Sequence, residues 1–171
     1  WTGSHFLMAG NMVSSYGNTL LKSQDGIHYT PIKQITDIPP LNDVEVDLEF
    51  SNTITFPRNM MIALGGSPTD STKIAYSVDE GLTWIPSSNS HSVFTETTNH
   101  ACWNGKTWVA VGQGKNTIAT SNDGDKWIGR GSYIFSIKGN CIEWNQSLWV
   151  AGGSGTNTLA SSYDGIYWMA V

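Results

Sequence analysis

Charge is scarce in this chain. Lys and Arg total nine among 171 residues, and Asp, Glu, Lys and Arg together make up 13%. The cations stand singly, so no basic run offers the clustered positive charge that a nucleic-acid surface needs. Cysteine is nearly absent, and two in a chain of this length exclude a disulfide framework. Long apolar runs are missing too. W-V-A-V at 108–111 falls far short of the ~20 residues of a membrane-spanning helix. The four histidines, His5, His28, His91 and His100, show no metal-ligand spacing. No cofactor motif stands out: G-Q-G-K-N-T at 112–117 lacks the full phosphate-loop spacing and precedes a strand pattern, not a helix. What the chain does have is eight Trp and eighteen Gly, which fits short strands, tight turns and large aromatic packing units.

Internal repetition explains that composition. W-N-G-K-T-W-V-A-V-G-Q-G-K-N-T-I-A-T-S-N-D-G-D-K-W (103–127) aligns without a gap to W-N-Q-S-L-W-V-A-G-G-S-G-T-N-T-L-A-S-S-Y-D-G-I-Y-W (144–168). Two more divergent copies precede them, around S-Q-D-G-I-H-Y (23–29) and S-V-D-E-G-L-T-W (77–84). The shared aspartates are Asp25, Asp79, Asp123 and Asp164, separated by 54, 44 and 41 residues.

Each copy parses into four short strands. An inner strand ends near Trp103 or Trp144, and a tight turn such as Asn104-Gly105 follows. A continuous apolar strand comes next, which implies burial on both faces. A third strand runs into the aspartate turn, and a fourth carries Trp127 or Trp168. Four strands per unit of about 40 to 50 residues is the pattern of a β-propeller blade. The expected fold is therefore all-β, with four-stranded antiparallel blades at about 1–30, 50–86, 99–129 and 139–171. An acidic insertion is expected at 31–50.

An aspartate that recurs four times in one context reads as architecture rather than catalysis. Its carboxylate is suited to accept amides of its own turn, the serine to bond the same loop, the glycine to supply a positive φ, and the aromatic ring to cover the hairpin. The expected structural set is Ser23, Asp25 and Gly26; Ser77, Asp79, Gly81 and Trp84; Ser121, Asp123, Gly124 and Trp127; and Ser162, Asp164, Gly165 and Trp168.

The phrase at 77–84 matches S-x-D-x-G-x-x-W in full and resembles the Asp-box, or BNR, repeat of sialidases, sortilin-type receptors and photosystem assembly propellers. The other three copies have one residue fewer between Asp and the aromatic, and the first has Tyr29 in place of Trp. The longer repeat phrase is also similar to uncharacterised repeat proteins of bacteria and large DNA viruses. The resemblance implies a propeller and leaves function open, because such propellers do many things. Sialidases hold the substrate carboxylate with three arginines. This chain has two, Arg58 and Arg130, and lacks that motif near its first repeat, so a sialidase site is not expected here.

Other candidates are few. In N-D-V-E-V-D-L-E-F, Asp43, Glu45, Asp47 and Glu49 alternate with apolar residues, which places four acids on one face of a strand. That face reads first as solvated, and second as a cation site or a dock for a basic partner. Cys102 and Cys141 are expected as buried thiols on inner strands.

No catalytic residue, metal or cofactor is assigned. The expected role is a non-catalytic structural or recognition propeller. With the four strands of each copy lettered a to d in chain order, it would bind a protein partner or further blades through its variable b–c and d–a loops. The alternative is a carbohydrate-active propeller with catalytic residues outside this segment, for which a glycan is the ligand. The sequence assigns no compartment; an extracellular, surface or virion-associated assembly is the leaning. The chain opens at the Trp that ends an inner strand, so an arc of a larger propeller is expected.

Overall fold

The computed structural model describes residues 6–10, 19–32, 41–46 and 60–171. Its regular structure is almost entirely antiparallel β, arranged as consecutive blades of a β-propeller. The first blade holds β1 (Phe6–Gly10), β2 (Thr19–Ser23) and β3 (Thr30–Pro31). The second holds β4 (Leu41–Val46), β5 (Met61–Gly65), β6 (Ile74–Ser77) and β7 (Ile85–Pro86). After a one-turn helix, α1 (Ser90–Val93), the third holds β8 (Thr97–Trp103), β9 (Trp108–Gln113), β10 (Ile118–Ser121) and β11 (Ile128–Gly129). The fourth holds β12 (Lys138–Trp144), β13 (Trp149–Ser154), β14 (Leu159–Ser162) and β15 (Met169–Ala170). The first strands β1, β4, β8 and β12 neighbour one another in that order and curl into a half-barrel.

The second blade starts earlier than the expected limit of 50. The segment read as an acidic insertion supplies its first strand, with Val44 opposite Ala63 and Val46 opposite Met61. The alternating apolar residues give that segment strand character, so it pairs with β5.

Three inner strands share a local device. Register slips between Leu41 and Asp43, between Thr98 and His100, and between Gly139 and Cys141. The extra residue is asparagine each time: Asn42, Asn99 and Asn140. A bulge bends its strand and re-aims the side chain. Asn99 uses the bend to donate from Nδ2 to the Gly139 carbonyl of the next blade at 2.7 Å.

The cores lie between blades. Ile62, Leu64 and Ile74 of the second blade pack with Ala101, Trp108, Ala110 and Trp127 of the third. Val109, Val111 and Ile118 of the third pack with Ile142, Trp149, Ala151 and Trp168 of the fourth. Strand β9 therefore has both faces buried. Strand β13, with nearly the same sequence, does not: Val150 is 37% exposed, because no described blade covers its side. Cys102 is buried, whereas Cys141, on that same uncovered side, is exposed, contrary to the expectation of two buried thiols.

Close approach at the third joint depends on Gly139. A Cβ there would sit 2.6 Å from Val111 Cβ and 2.8 Å from the Thr117 carbonyl oxygen. At the hairpin ends, Trp103 lies opposite Trp108 and Trp144 opposite Trp149, with ring centroids 5.2 and 5.0 Å apart. Tilted aromatic pairs at that range stabilise a hairpin beyond the area they bury.

Candidate functional site

The four aspartate turns use one set of anchors. The serine hydroxyl donates to the carboxylate at 2.8–3.1 Å in all four. That same oxygen accepts the glycine amide at 2.9 Å, from Gly26, Gly81, Gly124 and Gly165. The carboxylate then accepts the amide of the residue before the aromatic: His28, Thr83, Lys126 or Tyr167. Trp84, Trp127 and Trp168 each donate from Nε1 to the glycine carbonyl, which ties the ring to the turn. Tyr29 carries no indole N–H. In the first turn, His28 Nδ1 instead meets Asp25 Oδ2 at 2.7 Å.

The extra residue of the second turn is absorbed locally. Glu80 takes a left-handed φ of 61° and Gly81 one of 81°, and the anchors keep their partners. Thr83 adds a hydroxyl donor to Asp79 Oδ2 at 2.5 Å.

These bonds set the protonation of the acids. The His28 ring, then the His28 and Ile27 amides, hold Asp25 far below the usual carboxylate range. For Asp79 and Asp123 partial burial is the largest single influence and pushes upward. The combined hydrogen bonds outweigh it, from Thr83 and Ser77 in one turn and from Lys126, Ser121 and Asp125 in the other, and both acids end lowered. The Tyr167 amide leads in lowering Asp164. A carboxylate that is ionised and saturated by its own hairpin is a poor general acid.

Of the four acids on the alternating strand, Asp43 and Glu45 lie in β4 opposite Leu64 and Ile62, while Asp47, Glu49 and Arg58 lie outside the described residues. Among the described residues no cluster of three His, Cys, Asp or Glu could hold a metal.

The loops opposite the aspartate turns are pinned from inside. In the second blade, Lys73 is buried and donates from Nζ to the Ser67 and Asp70 carbonyls. Burial lowers its pKa, and Asp70 partly restores it. Asp70 in turn accepts the Ser67 amide and hydroxyl at 2.7 and 2.8 Å. In the third and fourth blades Asn116 and Asn157 donate to the carbonyls of Val93 and Ile134. Phe94 and Phe135, both fully buried, cover Gly112 and Gly153. The sequence reading missed these residues. The signal was present, because the gapless repeat extends upstream through V-F-T (93–95) and I-F-S (134–136).

The two joints between complete blades differ on the aspartate-turn side. Ser87, Arg130 and Val171 are equivalent, since each donates its amide to the third strand, at Ile74, Ile118 and Leu159. At the joint of the second and third blades, Tyr76 fills the space beside Asp123 and Asp125, and its hydroxyl pKa is raised by burial and then by those two acids. Ser87 and Ser88 bond Asp125, and Asn89 exchanges two bonds with Trp127. At the joint of the third and fourth blades Thr120 stands where Tyr76 stood, and Ile166 where Asp125 stood. A groove of about 640 Å³ opens there.

Neither a family model nor a curated protein matches the chain. Among solved structures it is similar to the crystal structure of the Niastella koreensis GH74 enzyme, a β-propeller enzyme, with a TM-score of 0.64 and 14% identity. The match covers 99% of this chain and 28% of that one. The likeness is one of fold.

Proposed function

We propose that this chain is an arc of a larger β-propeller built on Asp-box turns, and that it acts as a non-catalytic structural or recognition scaffold. The observation that carries this reading is the one set of hydrogen bonds that ties each aspartate to its own hairpin. All four carboxylates are pushed down and bound to their own hairpins, which suits turn anchors rather than proton donors. The uncovered side of the fourth blade supports the arc, since Val150 and Leu159 are exposed there while their counterparts Val109 and Ile118 are buried by the next blade. Partner recognition belongs to the b–c and d–a loops, of which 66–73 is held in one shape by Lys73 and Asp70. A preorganised loop loses little freedom on binding.

A second reading is kept because of the GH74 likeness: a carbohydrate-active propeller whose catalytic residues lie outside this segment. The two separate in a reducing-end assay of the chain on neutral and acidic polysaccharides. The scaffold reading expects release at the level of the blank. Release that rises with protein concentration and survives repurification would replace it with the second reading.

A further inference from the structure

We infer that the groove between the third and fourth blades is a binding site for an anionic oligosaccharide bearing carboxylate or sulfate groups. The site lies on the aspartate-turn side, away from the loops proposed for partner recognition, and stands whether or not that proposal holds.

Its volume of about 640 Å³ lies within the ~300–1,000 Å³ typical of small-ligand sites, and is more than an inorganic anion needs. Lys106, Lys126 and Arg130 all line it, in a chain whose net charge is −5 and whose cations otherwise stand apart. Arg130 is aimed rather than loose. Its Nε and Nη2 both donate to Thr120 Oγ1, at 3.0 and 2.7 Å, which fixes the guanidinium plane and leaves Nη1 for a ligand. No carboxylate among the described residues forms a salt bridge with it.

The two lining acids, Asp123 and Asp164, stay ionised, and Lys126 is near enough to help lower Asp123, so the three cations exceed these acids by one charge. Each spends Oδ1 on its own serine hydroxyl and turn amides. Asn122 accepts Thr107 Oγ1 at its Oδ1, so its amide N–H₂ is the end left for the groove.

The rest of the lining mixes polar groups, such as Asn104, with three large apolar side chains. Tyr163 is 73% exposed at the rim, with Ile128 and Ile166 beside it. An aromatic ring and exposed aliphatic side chains suit the C–H faces of a sugar ring, and cations suit its acidic substituents. The repeat itself supplies the control, because Tyr76 and the Ser87–Asn89 segment occupy the corresponding space one joint earlier. The groove exists because the residues of the third joint depart from that plug.

The test is fluorescence titration of the chain with labelled sulfated, polyuronate and neutral hexasaccharides, a poly-glutamate peptide and a single-stranded oligonucleotide. Binding of one or both acidic sugars is expected, weakening with salt, and the two acidic arms tell sulfate from carboxylate. Arg130→Ala and Lys126→Ala should each weaken it about tenfold or more, while Lys115→Ala, outside the groove, leaves it unchanged. Thr120→Tyr, which imports the plug of the preceding joint without removing a charge, should abolish it. Melting temperatures show that each variant is folded; should Thr120→Tyr not fold, the two charge variants decide. The proposal is overturned if no acidic sugar binds or if Arg130→Ala and Lys126→Ala bind like wild type. Neutral sugar binding as tightly, or peptide or oligonucleotide binding tighter than both acidic sugars, would also overturn it.

Discussion

Asp79 gathers a serine hydroxyl, a threonine hydroxyl and a threonine amide onto one carboxylate. Asp79→Ala strands those donors and should cost about 1–3 kcal/mol, read as a lower urea midpoint. The pH dependence follows from the same bonds. A folded pKa below the unfolded one means that the stabilisation is complete above about pH 5 and is lost as pH falls through about 4 toward the lowered folded values. Urea midpoints should therefore drop on acidification, and Asp79→Asn should shrink that drop. A variant as acid-sensitive as wild type would remove Asp79 from the account. A smaller effect is expected at Gln146. It holds a φ of 76° at the place where the third blade has Gly105. Left-handed backbone is costly for a side chain, so Gln146→Gly should raise stability by roughly 0.5–1 kcal/mol.

Turns tolerate changes of length when their anchors are kept. Deleting Glu80 converts the second turn to the spacing of the other three and removes a left-handed residue. The melting temperature should change little; a collapse of the fold would mean that the shared anchors do not hold this turn without its extra residue. Strands and turns of this kind were legible in the sequence because they recur. Trp103, Trp108 and the S-x-D-G phrase return 41 residues later, and a repeated pattern is its own alignment. The first strand of the second blade reads as an insertion by its acids, whereas Val44 and Val46 alternate with them and pair with β5. The groove was not legible at all. It depends on Thr120 replacing Tyr76 and on Ile166 replacing Asp125, and both are differences between repeats rather than patterns. Phe135 was likewise overlooked. It is fully buried against Gly153, and Phe135→Ala should cost about 3–5 kcal/mol by chemical denaturation.

Across the whole molecule, stability is carried by joints between neighbours. Ile118 is 2% exposed at a covered joint, whereas its counterpart Leu159 is 41% exposed on the open side. Ile118→Ala should therefore cost about 2–5 kcal/mol, and Leu159→Ala in this chain much less. Equal costs would mean that something already covers the fourth blade, against the arc.

The bridge between Lys138 and Gln113 has a mechanical consequence. It is the single backbone pairing between the third and fourth blades, and among the described residues every other strand pairing stays within one blade. Strands inside a blade run antiparallel, so a pull on the chain beyond β15 loads their bonds one after another, as in a zipper. Once β15, β14 and β13 have peeled away, that lone bridge, the Asn99 contact and the bond from the Ile142 amide to His100 Nδ1 are among the polar ties still resisting the pull on β12. Tension would thus shed this arc blade by blade rather than shear it as one block.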